Sequence, residues 1–254
     1  MANIFAAGRL WGIPTVDYQG NAITVPTPVQ FGTLQDISLD LGFDIKKLYG
    51  TKQFPDDIAR GKGSITGKAS TGKVNGALVN SLFFGQTLTA GITSDFTDLT
   101  GTAVPTTPFQ ITPVPPSSGT WATDLGVSGS TGVPLTRVAS APTTGQYSVA
   151  AGVYTFAAAD VGLVMYINYS YTATNTTASK GTMVNPFMGS TPAFQAEILL
   201  PGSTAGVYTS FTFLKCVSNK LTISTKLDDY AIPALSWECS ADAFGNFLKW
   251  STSN

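Results

Sequence analysis

The chain contains no histidine. That removes Ser-His-Asp and Cys-His catalysis and the commonest metal ligand at a stroke. Charge is also scarce. Charged residues make up 11% of the 254, against roughly a quarter in an average soluble domain. The 14 Lys and Arg nearly balance the 15 Asp and Glu, giving a formal net charge of −1. No basic stripe is present of the kind that nucleic-acid binders carry. The densest basic group, Arg60, Lys62, Lys68 and Lys73, has Gly and Ser between its members and reads as a solvated loop and its flanks. The two cysteines, Cys216 and Cys239, are too few for a disulfide framework or a zinc knuckle. Both fall in strand-like segments and could be neighbours in a sheet; the expectation is two reduced thiols. No run reaches the roughly 18 apolar residues of a membrane span. Met1 to Val16, interrupted by Arg9, is not expected to be a signal peptide.

Other chemistry fails on spacing. Gly61-Lys62-Gly63-Ser64-Ile65-Thr66-Gly67-Lys68 resembles a phosphate loop only briefly. Three residues, not four, separate Gly63 from Gly67, and Ala69 offers magnesium no hydroxyl. Asp56-Asp57 and Asp228-Asp229 are adjacent, so in extended chain their carboxylates diverge instead of flanking a substrate. The expectation is therefore no enzyme, no cofactor and no metal.

What is present is apolar and small: 43% hydrophobic residues, with much Gly, Ser, Thr and Ala. A surface so poor in charge favours association with other copies. From Val29 to Ile45 the pattern alternates. Ile37, Leu39, Leu41, Phe43 and Ile45 take one face, and Asp36, Ser38, Asp40, Gly42, Asp44 and Lys46 the other. At about 3.3 Å per residue, Ile37 to Ile45 spans roughly 30 Å, long for an ordinary strand. Residues 64–70 read as its returning partner, forming a long hairpin. Tyr49, Phe54 and Pro55 lie in the loop between, either folded back on the core or docked on a neighbouring subunit. Residues 73–84 change period, with Val74, Leu78 and Leu82 four apart, which predicts one flanking helix stopped by Gly85.

From 100 to 120, Pro105, Pro108, Pro113, Pro115 and Pro116 exclude a helix. Short strands with Gly-rich turns follow, among them 147–149, 153–156 and 164–172. This predicts an inserted all-β subdomain over 100–178, with residues 1–99 and 179–254 forming a discontinuous β core. Beyond it, strands are expected at 193–200, 208–217, 221–225 and 235–240, with a tight turn at Ser218-Asn219-Lys220.

A series of short segments is similar to phage tail tube proteins. It runs through Leu48-Tyr49-Gly50, Gln53-Phe54-Pro55, Ala59-Arg60-Gly61-Lys62-Gly63 and Ile65-Thr66-Gly67-Lys68-Ala69. It continues in Asn80-Ser81-Leu82-Phe83-Phe84-Gly85 and, within the insertion, Gly152-Val153-Tyr154-Thr155-Phe156 and Ile167-Asn168-Tyr169-Ser170-Tyr171-Thr172. It ends in Lys226-Leu227-Asp228-Asp229-Tyr230-Ala231-Ile232-Pro233 and Ala241-Asp242-Ala243-Phe244-Gly245-Asn246. Their order carries the resemblance more than any one of them.

The resemblance implies a mainly β fold: a barrel or sandwich core with a long hairpin and one flanking helix. It implies six subunits per ring, with hairpins joined into an inner barrel and rings stacked through loops and the N-terminal arm. DNA would cross the bore without specific binding. Tail sheath, terminator and baseplate proteins are the further partners implied. The particle would be a virion tail, assembled in a bacterial host's cytoplasm, with no membrane involved; type VI secretion inner tubes share the plan. On this reading Asp36, Ser38, Asp40 and Asp44 face the lumen, and the three carboxylates give roughly 18 negative charges per six-membered ring, offset in part by Lys46. The alternative for that face is an ordinary solvated side of a sheet. Alternatives for the whole chain are a secreted β-sandwich binding module or adhesin, or another virion component such as a decoration or baseplate protein.

Overall fold

The computed structural model describes residues 8–73, 75–204, 206–225 and 227–253. Residues 1–7 of the N-terminal arm, Val74 of the expected helical stripe and Lys226 lie outside them. The chain is mainly β and divides into a core unit, residues 1–87 and 182–254, and an inserted unit, 88–181.

Along the chain the core unit opens with β1 (Arg9–Val16), β2 (Val29–Gln30), β3 (Leu34–Leu48) and β4 (Asp57–Thr71), then α1 (Gly76–Val79) and a π-helical turn (Asn80–Phe84). The inserted unit holds β5 (Thr89–Ala90), β6 (Ile92–Phe96), β7 (Thr102–Ala103), β8 (Gln110–Ile111), β9 (Thr120–Gly129) and β10 (Thr136–Arg137). It continues with β11 (Gln146–Ala150), β12 (Val153–Phe156), β13 (Val164–Ala173) and β14 (Ser179–Lys180). The chain then returns to the core unit through β15 (Ala193–Pro201), β16 (Tyr208–Thr222), β17 (Ala234–Ser240) and β18 (Leu248–Thr252).

In the core unit one sheet runs in the order β2-β1-β15-β16-β17-β4-β3, with β18 paired to β16. Its buried cluster joins Leu10, Phe31, Ala69, Phe194, Ile198, Phe213 and Trp237 to Leu78 and Leu82 of the helical segment. That segment is shorter than the expected 73–84. Asn75 Oδ1 caps it by accepting from the N–H groups of Ala77 and Leu78. After one α-helical turn the ladder widens, and Gly85 N–H donates to Asn80 O before the chain stops in the left-handed region at φ 63°. Two side chains act at this wider turn: Ser218 Oγ donates to Leu82 O, and buried Asn80 donates to Gln86 O.

Other expectations shift. No turn interrupts 218–220. β16 runs through it as one strand, taking up the polar triplet as a register shift against β17 between Ser218 and Lys220. Arg60, Lys62 and Lys68 lie on β4, not in a loop, because the returning strand begins at Asp57 and pairs with β3 as far as Leu48. The inserted unit begins at Leu88 instead of 100, because β6 pairs with β13 inside it.

In the inserted unit one sheet is ordered β10-β11-β12-β8, and a second is built on β13, which pairs with β6, β7 and β9. Along β13, Met165, Ile167, Tyr169 and Tyr171 are buried while the residues between them are half-buried, as the alternation predicts. They join Val127, Tyr147, Tyr154 and Phe156 in one core.

Candidate functional site

The hairpin β3–β4 is the most unusual feature of the core unit. Near its base it belongs to the sheet, with residues Thr66–Ser70 of β4 paired to β17. Beyond Thr66, among the described residues, β3 and β4 pair only with each other, as far as Leu48 opposite Asp57. This outer part, Leu41–Leu48, extends roughly 25 Å at about 3.4 Å per residue. A two-stranded ribbon with open edges is marginal in water, and exposed edges are templates for pairing with another chain.

The register sorts its side chains into two faces. Ile37, Leu39, Leu41 and Phe43 stand opposite Ala69, Gly67, Ile65 and Gly63. At the base, Ile37, Leu39 and Ile65 pack against the core cluster. The same stripe then continues uncovered: Leu41 is 48% exposed, Phe43 52% and Ile45 52%. Arg60 lies 4.9 Å above the Phe43 ring and covers part of it. Beside the stripe is an open groove of about 470 Å³, whose walls include Leu41, Phe43, Ile65, Cys239, Phe247 and Leu248.

The opposite face is polar. Asp36 pairs with Ser70, Ser38 with Lys68, Asp40 with Thr66 and Gly42 with Ser64. Lys68 therefore lies diagonally between Asp36 and Asp40. A register shift between Phe43 and Ile45 sets both Gly61 and Lys62 opposite Asp44, and Lys46 follows on the same side of β3. Asp36, Asp40 and Asp44 thus share their face with Lys46, Lys62 and Lys68: three carboxylates and three ammonium groups, which cancel. The expected acidic wall becomes a mixed-charge one once β4 is counted. Asp36, Ser38, Asp40 and Asp44 are all exposed.

At the tip, Asp56 N–H donates to Leu48 O and closes the loop. Neither loop aromatic folds back on the core. Tyr49 and Phe54 are exposed, Phe54 at 81%, and Pro55 is half-buried. Leu48 and Ile58 add to the bare apolar surface here. Sequence reading missed Ile58, Phe247 and Leu248. The alternation of Leu248 and Trp250 around Lys249 was the available signal for β18.

The inserted unit has a polar centre of a different kind. The Asp124 side chain, 3% exposed, accepts from the hydroxyls of Tyr147 and Tyr154 and from Gly126 N–H, with Arg137 at 3.6 Å. Trp121 Nε1 donates to Tyr154. Burial, and then the hydrogen bond to Asp124, push the Tyr147 hydroxyl above its usual pKa. Burial does the same for Tyr154, the Trp121 donation opposing it and the Asp124 charge adding to it. At Asp98 burial works against ionisation, but N–H donation from Gly101, Ile167 and Thr100 outweighs it and lowers the pKa. These carboxylates are saturated by backbone and hydroxyl donors, an arrangement that fixes loops.

No family model matches the chain, and no curated protein matches it. Among the described residues, no three His, Cys, Asp or Glu side chains gather as a metal site, and no helix is long and apolar enough to cross a membrane.

Proposed function

We propose that the chain is a structural subunit that assembles with copies of itself into stacked rings. The rings form a tail tube through which DNA passes. The observation that carries this is the β3–β4 ribbon: its apolar stripe packs against the core at Ile37 and Leu39 and is bare from Leu41 to Ile45, and among the described residues its outer edges are unpaired. A stripe of this kind is stable when a second layer covers it, and the open edges are satisfied when another ribbon pairs there. Side-by-side ribbons close into a barrel whose apolar face meets the subunit bodies and whose polar face meets the bore. The six-fold ring is taken from the tail-tube resemblance, and so is stacking through the loops, where Tyr49 and Phe54 stand exposed.

On this reading the bore wall carries both signs of charge, from Asp36, Asp40, Asp44, Lys46, Lys62 and Lys68. Such a wall neither repels phosphate uniformly nor collects it. The protein has no catalytic role in this reading. Electron microscopy of the purified chain, with sedimentation across a concentration series, tests it. Rings or filaments with an open bore are expected; a discrete monomer at every concentration overturns it.

A further inference from the structure

We propose that Cys216 and Cys239 form an oxidisable pair that closes into a cross-strand disulfide and pins β17 to β16. The two residues are direct partners in the antiparallel ladder. Directly opposed residues in such a ladder have Cα atoms roughly 4.5–5.5 Å apart, inside the window of about 4.4–6.8 Å that disulfides occupy. Both side chains point to the same side of the sheet, and their sulfurs are 2.9 Å apart. Closure to a bond of about 2.05 Å brings them together by roughly 0.9 Å, with no change of register.

The two thiols are not equivalent. Cys216 is buried in the core cluster, while Cys239 is half-buried and lines the groove beside Leu41 and Phe43. The groove gives a small oxidant access to Cys239 alone. With a disulfide oxidant such as oxidised glutathione, the Cys239 sulfur attacks it, forms a mixed disulfide and releases one glutathione thiol. Cys216 then attacks the Cys239 sulfur, loses its proton and releases the second. Two electrons pass from the protein dithiol to the oxidant, which leaves as two thiols. The hydrogen bond between the two sulfurs, and then burial, hold Cys216 in its neutral form, so closure is slow and follows the first exchange at Cys239.

The position of the bond gives it a consequence. β17 is the strand on which the hairpin is hung, through Ala234–Glu238 paired with Ser70–Thr66. A bond from Cys239 to Cys216 closes the loop between β16 and β17 and anchors the hairpin's base to the central strand of the sheet. A staple across a loop of this length raises the melting midpoint by roughly 5–10 °C. Closure concerns the core unit's own fold and holds whether or not copies assemble.

The test uses the full chain, reduced and then incubated with oxidised glutathione, with mass spectrometry and thiol counting after denaturation. The expected product is a monomer two hydrogens lighter, without free thiols, whose melting midpoint falls again when a reductant is added. Cys239→Ser, altered at the half-buried position, folds and shows no redox-dependent midpoint. Three results overturn the proposal: two thiols still free, a lasting glutathione adduct or intermolecular dimer, or a disulfide that leaves the midpoint unchanged.

Discussion

Gly67 stands directly across the β4–β17 ladder from Trp237, and a Cβ added to it would meet the indole ring at 2.3 Å. Trp237 is fully buried, with Phe31 and Phe194 packed around it, so the ring has nowhere to move. Gly67→Ala is therefore expected to cost about 3 kcal/mol, the upper range for overpacking a dense core. Gly42, farther along the same hairpin, is the control. Its nearest neighbour is Ser64 Oγ at 3.7 Å, and Gly42→Ala is expected to stay within about 0.5 kcal/mol of the parent. Urea unfolding of the two variants checks this; equal midpoints would show that the indole does yield.

That contact was invisible in the sequence, because nothing local pairs residue 67 with residue 237. The strand itself was legible. Ile37 to Ile45 alternates without interruption, and alternation reports which face a strand buries. Its return was legible only from residue 64, because Ala59-Arg60-Gly61-Lys62-Gly63 has no apolar period and is held in the strand by pairing with β3. Leu78 and Leu82 mark a helical face, but the i+5 step at Asn80 comes with its own side chain donating to the Gln86 carbonyl and with the distant Ser218 hydroxyl donating to Leu82 O. β16 continued through Ser218-Asn219-Lys220 because pairing with β17 overrode local turn preference. Read from β3 alone the hairpin's polar face is acidic; of the balancing lysines of β4, Lys62 lies in a stretch without apolar alternation, and pairing with β3 is what puts both Lys62 and Lys68 on that face.

If the chain assembles as proposed, Phe43 and Phe54 separate folding from assembly. Phe43 is 52% exposed and Phe54 81%, so neither contributes much to the stability of one copy. Phe43→Asp is expected to abolish ring formation while lowering stability by at most about 1 kcal/mol, the share of its contact with Arg60. Phe54→Ala is expected to weaken stacking while leaving the melting midpoint unchanged. Sedimentation and melting on the same samples decide the matter. A Phe54→Ala protein that polymerises normally but melts early would assign the ring to the core.

Charge on the polar face gives a third expectation. Replacing Asp36, Asp40 and Asp44 together by Lys leaves Lys46, Lys62 and Lys68 unopposed and makes the face strongly basic. On the proposed tube, this variant is expected to retain DNA in a salt-dependent way, as clustered lysines do, and the parent is expected to release it. Co-sedimentation with short duplexes over a salt series measures the difference. Equal retention by both would place this face away from the bore.

The inserted unit is expected to fail at high pH, for a reason located at Asp124. Its carboxylate accepts from the hydroxyls of Tyr147 at 2.8 Å and Tyr154 at 3.1 Å. Burial, with the Asp124 interactions, raises both tyrosine pKa values in the folded chain, while in the unfolded chain tyrosine ionises near about 10. A raised folded-state pKa means that the unfolded state loses its protons first as pH climbs. Stability is therefore fully present below pH of about 10 and is lost above it. The share of the tyrosinate absorbance that disappears in a Tyr147→Phe, Tyr154→Phe variant should consequently change together with the circular dichroism, because these two hydroxyls ionise only once the unit opens, whereas exposed tyrosines such as Tyr49 and Tyr230 ionise without unfolding. Asp124→Ala removes the shared acceptor and is expected to cost about 3 kcal/mol at neutral pH, since two buried hydroxyls lose a charged partner. If that share instead forms near pH of about 10 with the circular dichroism unchanged, the two hydroxyls reach solvent in the folded protein, and the Asp124 centre is not the closed network its distances describe.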